Sequence, residues 1–316
     1  MQHSLAASSG SYEELAVALE ATNQFQVLRR FDAQSLFLPA TALPEDAGIA
    51  VVLDTETTGK DASTDHVVEL GMVTFAYNKL TGQVLGALES FNELEDPGVP
   101  IDPAASRVSG ITDDMVKGHR INDEAVQFTV EMADFIVAHN SSFDRKICER
   151  RFPFMKGKPW ACSLTQVDWE GSGIASAKLE FIAYKMGFYY EAHRADSDCL
   201  ALLNALNQPM PLGGNPSPLA QVLSNYMVEH RRIWAVSAPF DVKDALKERG
   251  YRWSDGTQPG CEKAWWIEVS AEQFNDEMAW LRANVYGNRS FSVPVDRIDA
   301  FSRFSSRRDA LPRAYY

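Results

Sequence analysis

Residues 49–54, Ile-Ala-Val-Val-Leu-Asp, are apolar at every position until the aspartate. A strand without polar alternation is buried on both faces, which fits the centre of an α/β sheet and not a sheet with one wet side. The run continues as Asp54-Thr55-Glu56-Thr57-Thr58-Gly59. Side chains two apart in a strand share a face. Asp54 and Glu56 therefore project together at the C-terminal edge of the sheet, where α/β folds gather their ligands. Two such carboxylates repel, and one keeps a proton unless a cation sits between them. Hard carboxylate oxygen suits magnesium or manganese. Alone, an Asp-x-Glu is more readily explained by a surface loop.

The surrounding chain predicts the rest of the sheet. Residues 67–77 and 84–92 read as two more strands joined by a turn near Thr81-Gly82. Asn122 is a good N-cap for a helix that places Val126, Thr129, Val130 and Ala133 on one side. Residues 135–139 form another buried strand, and helices follow from about Ser142 to Arg151 and from about Ala195. Strands first, then alternating helix and strand, make an α/β layer fold with a mixed sheet. Ahead of it, Ser11 and Glu14 form a capping box for a short helix with Leu15, Ala18 and Leu19 on one face. Residues 25–31 suggest a strand, and 39–47 a linker.

Two later acids extend the pattern. Asp144 opens the helix after His139-Asn140-Ser141-Ser142-Phe143, with Asn140, Ser141 or Ser142 as its cap. Asp198 follows His193 by five residues at the start of the last helix. Either acid taken singly is explained by the helix dipole, which favours a carboxylate in a first turn. Their order is less easily dismissed. Residues 51–59, 68–71, 106–112, 138–144 and 192–198 together resemble the DnaQ-like (DEDDh) family of 3′→5′ exonucleases, over about half the chain.

The resemblance implies a ribonuclease-H-like fold with a mixed five-stranded sheet flanked by helices. It implies that Asp54, Glu56 and Asp198 ligate one divalent ion, Mg²⁺ or Mn²⁺, and that Asp54 reaches a second with help from Asp144. His193 becomes the general base. An imidazole suits that task because it exchanges a proton near neutrality. Thr55, Thr57, Thr58, Gly59, Ser109, Asn140 and Phe143 are the candidate substrate contacts. Many relatives carry histidine where this chain has Ser109, and Phe143 is equally a wedge against a terminal base or a core residue. The implied reaction releases 5′-mononucleotides from DNA 3′ ends, single-stranded or frayed, in replication proofreading or repair. An exoribonuclease trimming RNA is the alternative, and an inactive nucleic-acid-binding scaffold a third reading.

Charge sharpens this picture. The chain has 316 residues, with 30 Lys+Arg against 43 Asp+Glu and a net charge of −13. The imbalance lies in residues 1–220, which hold 16 basic and 30 acidic groups. A polyanion partner usually meets a basic footprint, so the surplus argues against nucleic acid unless some of these acids hold cations that invert the local sign. Four widely spaced cysteines without a Cys-x-x-Cys pair suggest reduced thiols. No apolar run reaches the roughly 18 residues of a membrane span. The expected setting is a bacterial-type cytoplasm, with no membrane partner.

Residues 209–218 hold four prolines and two glycines, which marks a boundary. The expected organisation is an N-terminal extension (1–47), an exonuclease domain (48–208), a Pro/Gly-rich linker (209–224), a small aromatic-rich α/β domain (225–288) and an irregular Arg-rich tail (289–316). Trp234, Tyr251, Trp253, Trp265 and Trp266 crowd the small domain. They serve a core, a stacking platform for single strands, or a dock for a polymerase, helicase or sliding clamp. The tail adds phosphate contacts or is merely solvated.

Overall fold

The computed structural model describes residues 9–39, 43–213, 216–258, 260–287, 289–307 and 311–316. The strands are β1 (Arg29–Arg30), β2 (Ala47–Thr57), β3 (Val67–Asn78), β4 (Val84–Leu94), β5 (Phe135–Ala138), β6 (Trp160–Cys162), β7 (Phe188–Tyr189), β8 (His230–Ala235), β9 (Arg252–Trp253), β10 (Trp265–Ser270), β11 (Pro294–Ile298) and β12 (Arg313–Tyr315).

The all-apolar run lies where its composition demands. Strand β2 is central in a five-stranded sheet of order β4-β3-β2-β5-β6. It pairs antiparallel with β3 and parallel with β5, so the sheet is mixed and the fold ribonuclease-H-like α/β. Ala50 and Val52 face one core with Phe75, Phe135 and the helix Ala195–Asn207, while Val51 and Leu53 face another with Ile136, Ile147 and Trp160. Alternate residues of one strand thus serve opposite layers. Asn122 caps the helix Asp123–Met132 as its sequence predicts, accepting from the N–H groups of Glu124 and Ala125.

A second five-stranded sheet, of order β12-β11-β8-β10-β9, is built from residues 230–315. It corrects the expectation of an irregular tail: β11 pairs antiparallel with β8 from Val295 to Ile298, and β12 closes on β11. Arg308 lies outside the described residues. The linker is corrected too. Pro218–Tyr226 is a helix whose Leu219 and Val222 are buried in the first core. The Pro/Gly signal marks only its approach, and Gly214 and Asn215 lie outside the described residues.

The N-terminal region departs most. Its helix is Ser9–Ala21, so Ser11 lies within the first turn instead of capping it; the Ser11 side chain lies outside the described residues. Ala16 is the buried position, while Leu15 and Leu19 are exposed. The strand expected over residues 25–31 shrinks to β1, paired parallel with β7. All four cysteines are free. Among the described residues no helix is long and apolar enough to cross a membrane.

Candidate active site

Strand β2 carries Asp54 and Glu56 to the sheet edge beside β3, where Asp54 lies opposite Gly71 and Glu56 opposite Glu69. Gly71 decides what comes next. A Cβ there would sit 2.4 Å from the backbone carbon of Ala195, so only glycine lets the helix Ala195–Asn207 approach β3 this closely. That approach brings Asp198, in the helix's first turn, to the two β2 carboxylates. One oxygen each from Asp54, Glu56 and Asp198 lie within 4.8 Å of one another.

The helix start is pinned by a pair that the sequence reading did not single out. Glu69 is fully buried, accepts from the Arg194 guanidinium at 2.6 Å, and takes the Ala195 N–H at 3.1 Å. Asn92 donates to it as well, at 3.0 Å. The Arg194 and Asn92 hydrogen bonds hold the Glu69 carboxyl below its usual range although burial pushes the other way. Glu69 is therefore a buried anchor and not a fourth member of the unpaired cluster. Its signal was the polar residue inside the otherwise buried run of β3.

Asp198 has its own supports. The Tyr190 hydroxyl donates to Oδ1 at 2.8 Å, and the N–H groups of His193 and Arg194 donate to Oδ2 at 2.7 and 3.1 Å. His193 adopts φ 67°, a left-handed conformation uncommon outside glycine, which serves to turn its N–H onto the carboxylate. Its side chain is exposed beside the acids. Asp144 enters from the helix Ser141–Arg151, is 4% exposed, and accepts from the Thr55 hydroxyl at 2.8 Å.

The electrostatics are those of an anionic pocket short of positive charge. Burial, with the neighbouring acids, pushes Glu56 up to about 8 and Asp54 well above the carboxylate range. Burial likewise raises Asp144 to about 7, opposed by the Thr55 hydroxyl, and raises Asp198 against the hydrogen bonds it receives. Water alone does not neutralise such a group of carboxylates. A divalent cation does, and the donor set of three clustered carboxylates is that of a hard, oxygen-ligated ion. The residues present thus fit the metal the sequence pattern implies.

The proposed substrate contacts divide. Gly59, Asn140 and Phe143 line an open cleft of about 1230 Å³, whose walls do not include Asp54, Glu56, Asp144, His193 or Asp198. A Cβ at Gly59 would meet the Asp65 carboxylate at 2.6 Å, so a side chain there would require Asp65 to move. Phe143 packs partly against the second core. The threonine hydroxyls are spent internally: Thr55 on Asp144, Thr57 on the Gly59 carbonyl at 2.6 Å, Thr58 on Asp65 at 2.8 Å. Ser109 is not among the residues lining the cleft. It is 6% exposed, donates to the Ala105 carbonyl and accepts from the Ile111 N–H, so it closes its own helix end.

Residues 51–206 match the family model described as Exonuclease (RNase_T). Residues 51–206 therefore form an exonuclease domain of this type. It is 29% identical over 171 residues to the DNA polymerase III subunit epsilon of Treponema pallidum, covering 48% of this chain and 74% of that one. A PolC-type DNA polymerase III of Listeria welshimeri is 39% identical over 95 residues, but those span only 29% of this chain and 6% of the polymerase. Among solved structures, exonuclease X in complex with 5′-overhanging duplex DNA aligns with TM-score 0.40 and 23% identity, over 55% of this chain and 99% of that one. Escherichia coli exonuclease I in complex with a dA16 oligonucleotide aligns with TM-score 0.47 and 14% identity, over 75% and 71%. The second sheet lies outside the matched family segment.

Proposed function

We propose that the exonuclease domain removes 5′-mononucleotides from DNA 3′ ends, using two divalent cations held by Asp54, Glu56, Asp144 and Asp198, in proofreading or repair in a bacterial cytoplasm. The observation that carries this reading is the convergence of three carboxylates from two distant segments within 4.8 Å, none of them in an ion pair among the described residues.

When bound, the cations supply Lewis acidity and offset the charge that builds on the phosphate. The protein's own groups do the rest. Asp54, Glu56 and Asp198 are held rigidly by β2 and by the Glu69–Arg194 anchor, which fixes their spacing before substrate arrives. His193 takes the proton from the attacking water at an imidazole nitrogen as the water oxygen bonds to phosphorus. The bond from phosphorus to the 3′-oxygen then breaks, and that oxygen gains a proton. Buried Asp144, fixed by Thr55, adds negative charge where the second cation is required. Gly59, Asn140 and Phe143 line the cleft through which the chain end enters.

Digestion of 5′- and 3′-labelled DNA and RNA oligonucleotides, with magnesium and then with a chelator, tests this. The reading requires stepwise shortening from the 3′ end of DNA that stops with chelator. Preference for RNA would replace the substrate by an exoribonuclease's, and no metal-dependent shortening of either would end the proposal.

A further inference from the structure

Two cavities meet at the junction of the two sheets. The cleft lined by Gly59 and Phe143 adjoins a second cavity of about 620 Å³ lined by Arg232, Arg252 and Trp266 of the second sheet. Ser142, Lys146 and Arg307 line both, so the two are neighbours that share a wall and together offer a groove. Its walls carry eight cationic and five acidic side chains, in a chain whose net charge is −13. The acids are largely engaged: Glu149 with Arg145 and Arg307, Glu268 with Arg232, and Asp65 with the Thr58 hydroxyl. Among the described residues, neither Lys60 nor Arg252 is paired with an acid. The pairs with Glu268 and Glu149 engage Arg232 and Arg307 as well, so the walls keep an excess of positive charge, eight cations against five acids, on an acidic protein.

Its chemistry is more specific than charge. Trp266 has two guanidinium groups over its ring, Arg232 at 5.1 Å and Arg252 at 5.6 Å from the centroid. Arg232 is 8% exposed, and its Nη1 has no hydrogen-bond partner. A buried donor left unpaired is costly and calls for an acceptor. Planar cations, an indole and an unsatisfied guanidinium in one wall suit a ligand that alternates phosphates with flat bases. The other aromatics divide differently: Trp234 and Tyr251 are buried core residues, while Trp253 is exposed.

We infer that this groove binds the single-stranded portion of the substrate upstream of the 3′ end, with Arg252 and Trp266 as its main contacts. The inference rests on the exonuclease reading for its direction, since Phe143 precedes Asp144 in the chain and Gly59 follows Glu56 on the same segment. It gives the second sheet a task within the enzyme, that of holding the strand while its end is trimmed.

Affinity for a fluorescent oligothymidylate of about twenty residues, measured by anisotropy in chelator across a salt series, tests it. Arg252→Glu alters an exposed side chain, and Trp266→Ala removes the ring. Each should weaken binding roughly tenfold. Arg252→Glu should also lower the slope of log affinity against log salt by about one. Lys117→Glu, an exposed lysine away from both cavities, should bind as wild type does. Wild-type affinity in both groove variants, or an equal loss in Lys117→Glu, would overturn the assignment and leave the groove to a protein partner. Hydrolysis of the p-nitrophenyl ester of thymidine 5′-monophosphate by the wild type with magnesium reads the acid cluster separately. Failure there, with the groove variants still impaired in binding, would sink the exonuclease reading and not the groove.

Discussion

Two sets of buried acids in this molecule face opposite ways. Glu69 and Glu149 are at most 2% exposed, and each is met by arginine: Glu69 by Arg194, Glu149 by Arg145 and Arg307. These hydrogen bonds outweigh burial and hold both carboxyls below their usual range. Asp144 is similarly buried and Asp54, Glu56 and Asp198 are partly buried; none forms an arginine ion pair among the described residues, and all four are pushed up. Glu56 and Glu69 are even opposite neighbours across β2 and β3. The difference teaches that burial alone does not mark a site. Buried acids whose charge the protein leaves uncompensated are the ones that await a ligand.

The largest effect that could break this comparison is catalytic. Asp54→Asn should reduce magnesium-dependent hydrolysis by on the order of 10³-fold, while the metal-free variant melts no lower than wild type, because a repelled charge has been removed. Next comes the paired set. Arg145 is fully buried, donates to Glu149 at 2.8 Å, and bonds the carbonyls of Ala300, Phe301 and Arg303 at 3.0, 2.6 and 2.7 Å. Arg145→Ala strips all of these at once and should destabilise by about 3–5 kcal/mol in chemical denaturation. A small loss there would mean that the pairing matters less than its geometry suggests.

Titration separates the two sets by sign. Glu69 and Glu149 have lowered folded pKa values, so their contribution is present above the usual glutamate value and is lost as pH falls below it. Glu56, raised to about 8, and Asp144, raised to about 7, bind protons more tightly folded than unfolded, so metal-free stability should fall as pH rises from about 5 through 8. Magnesium should reverse that second decline, and an Asp54→Asn/Glu56→Gln variant should flatten it. A melting profile in chelator that stayed level between pH 5 and 8 would contradict the electrostatics of the site. At the small end stands Arg30–Glu191, an ion pair whose side chains are 71% and 85% exposed. Arg30→Ala should shift stability by no more than about 0.5 kcal/mol.

What could be read from the sequence follows the range of the physics. The apolar run of β2, the Asn122 cap and the helix from Ala195 are local signals, and the structure repeats them nearly residue for residue. Strands β1, β7 and β9 are two residues each, too short to carry a period. The attachment of residues 300–307 to the helix Ser141–Arg151 joins positions about 155 apart, and nothing local announces it. An arginine-rich segment reads as solvated until its buried partner is found. Gly71 looked ordinary as well; its need appears only when the backbone of Ala195 arrives beside it.

These same long-range ties bear on how the second sheet can be studied. Truncation near Gly213 would remove the helix Pro218–Tyr226, whose Leu219 and Val222 fill the first core, and would leave Arg145 buried without its carbonyl partners. Point variants in the whole chain are the cleaner probe.

Calorimetric titration of manganese into the metal-free protein at pH 8 asks the question behind everything else. Saturable binding in the wild type that vanishes in Asp54→Asn/Glu56→Gln/Asp198→Asn is the predicted outcome. Equal heat from both proteins, or none from the wild type, would show that the unpaired acids are not a cation site.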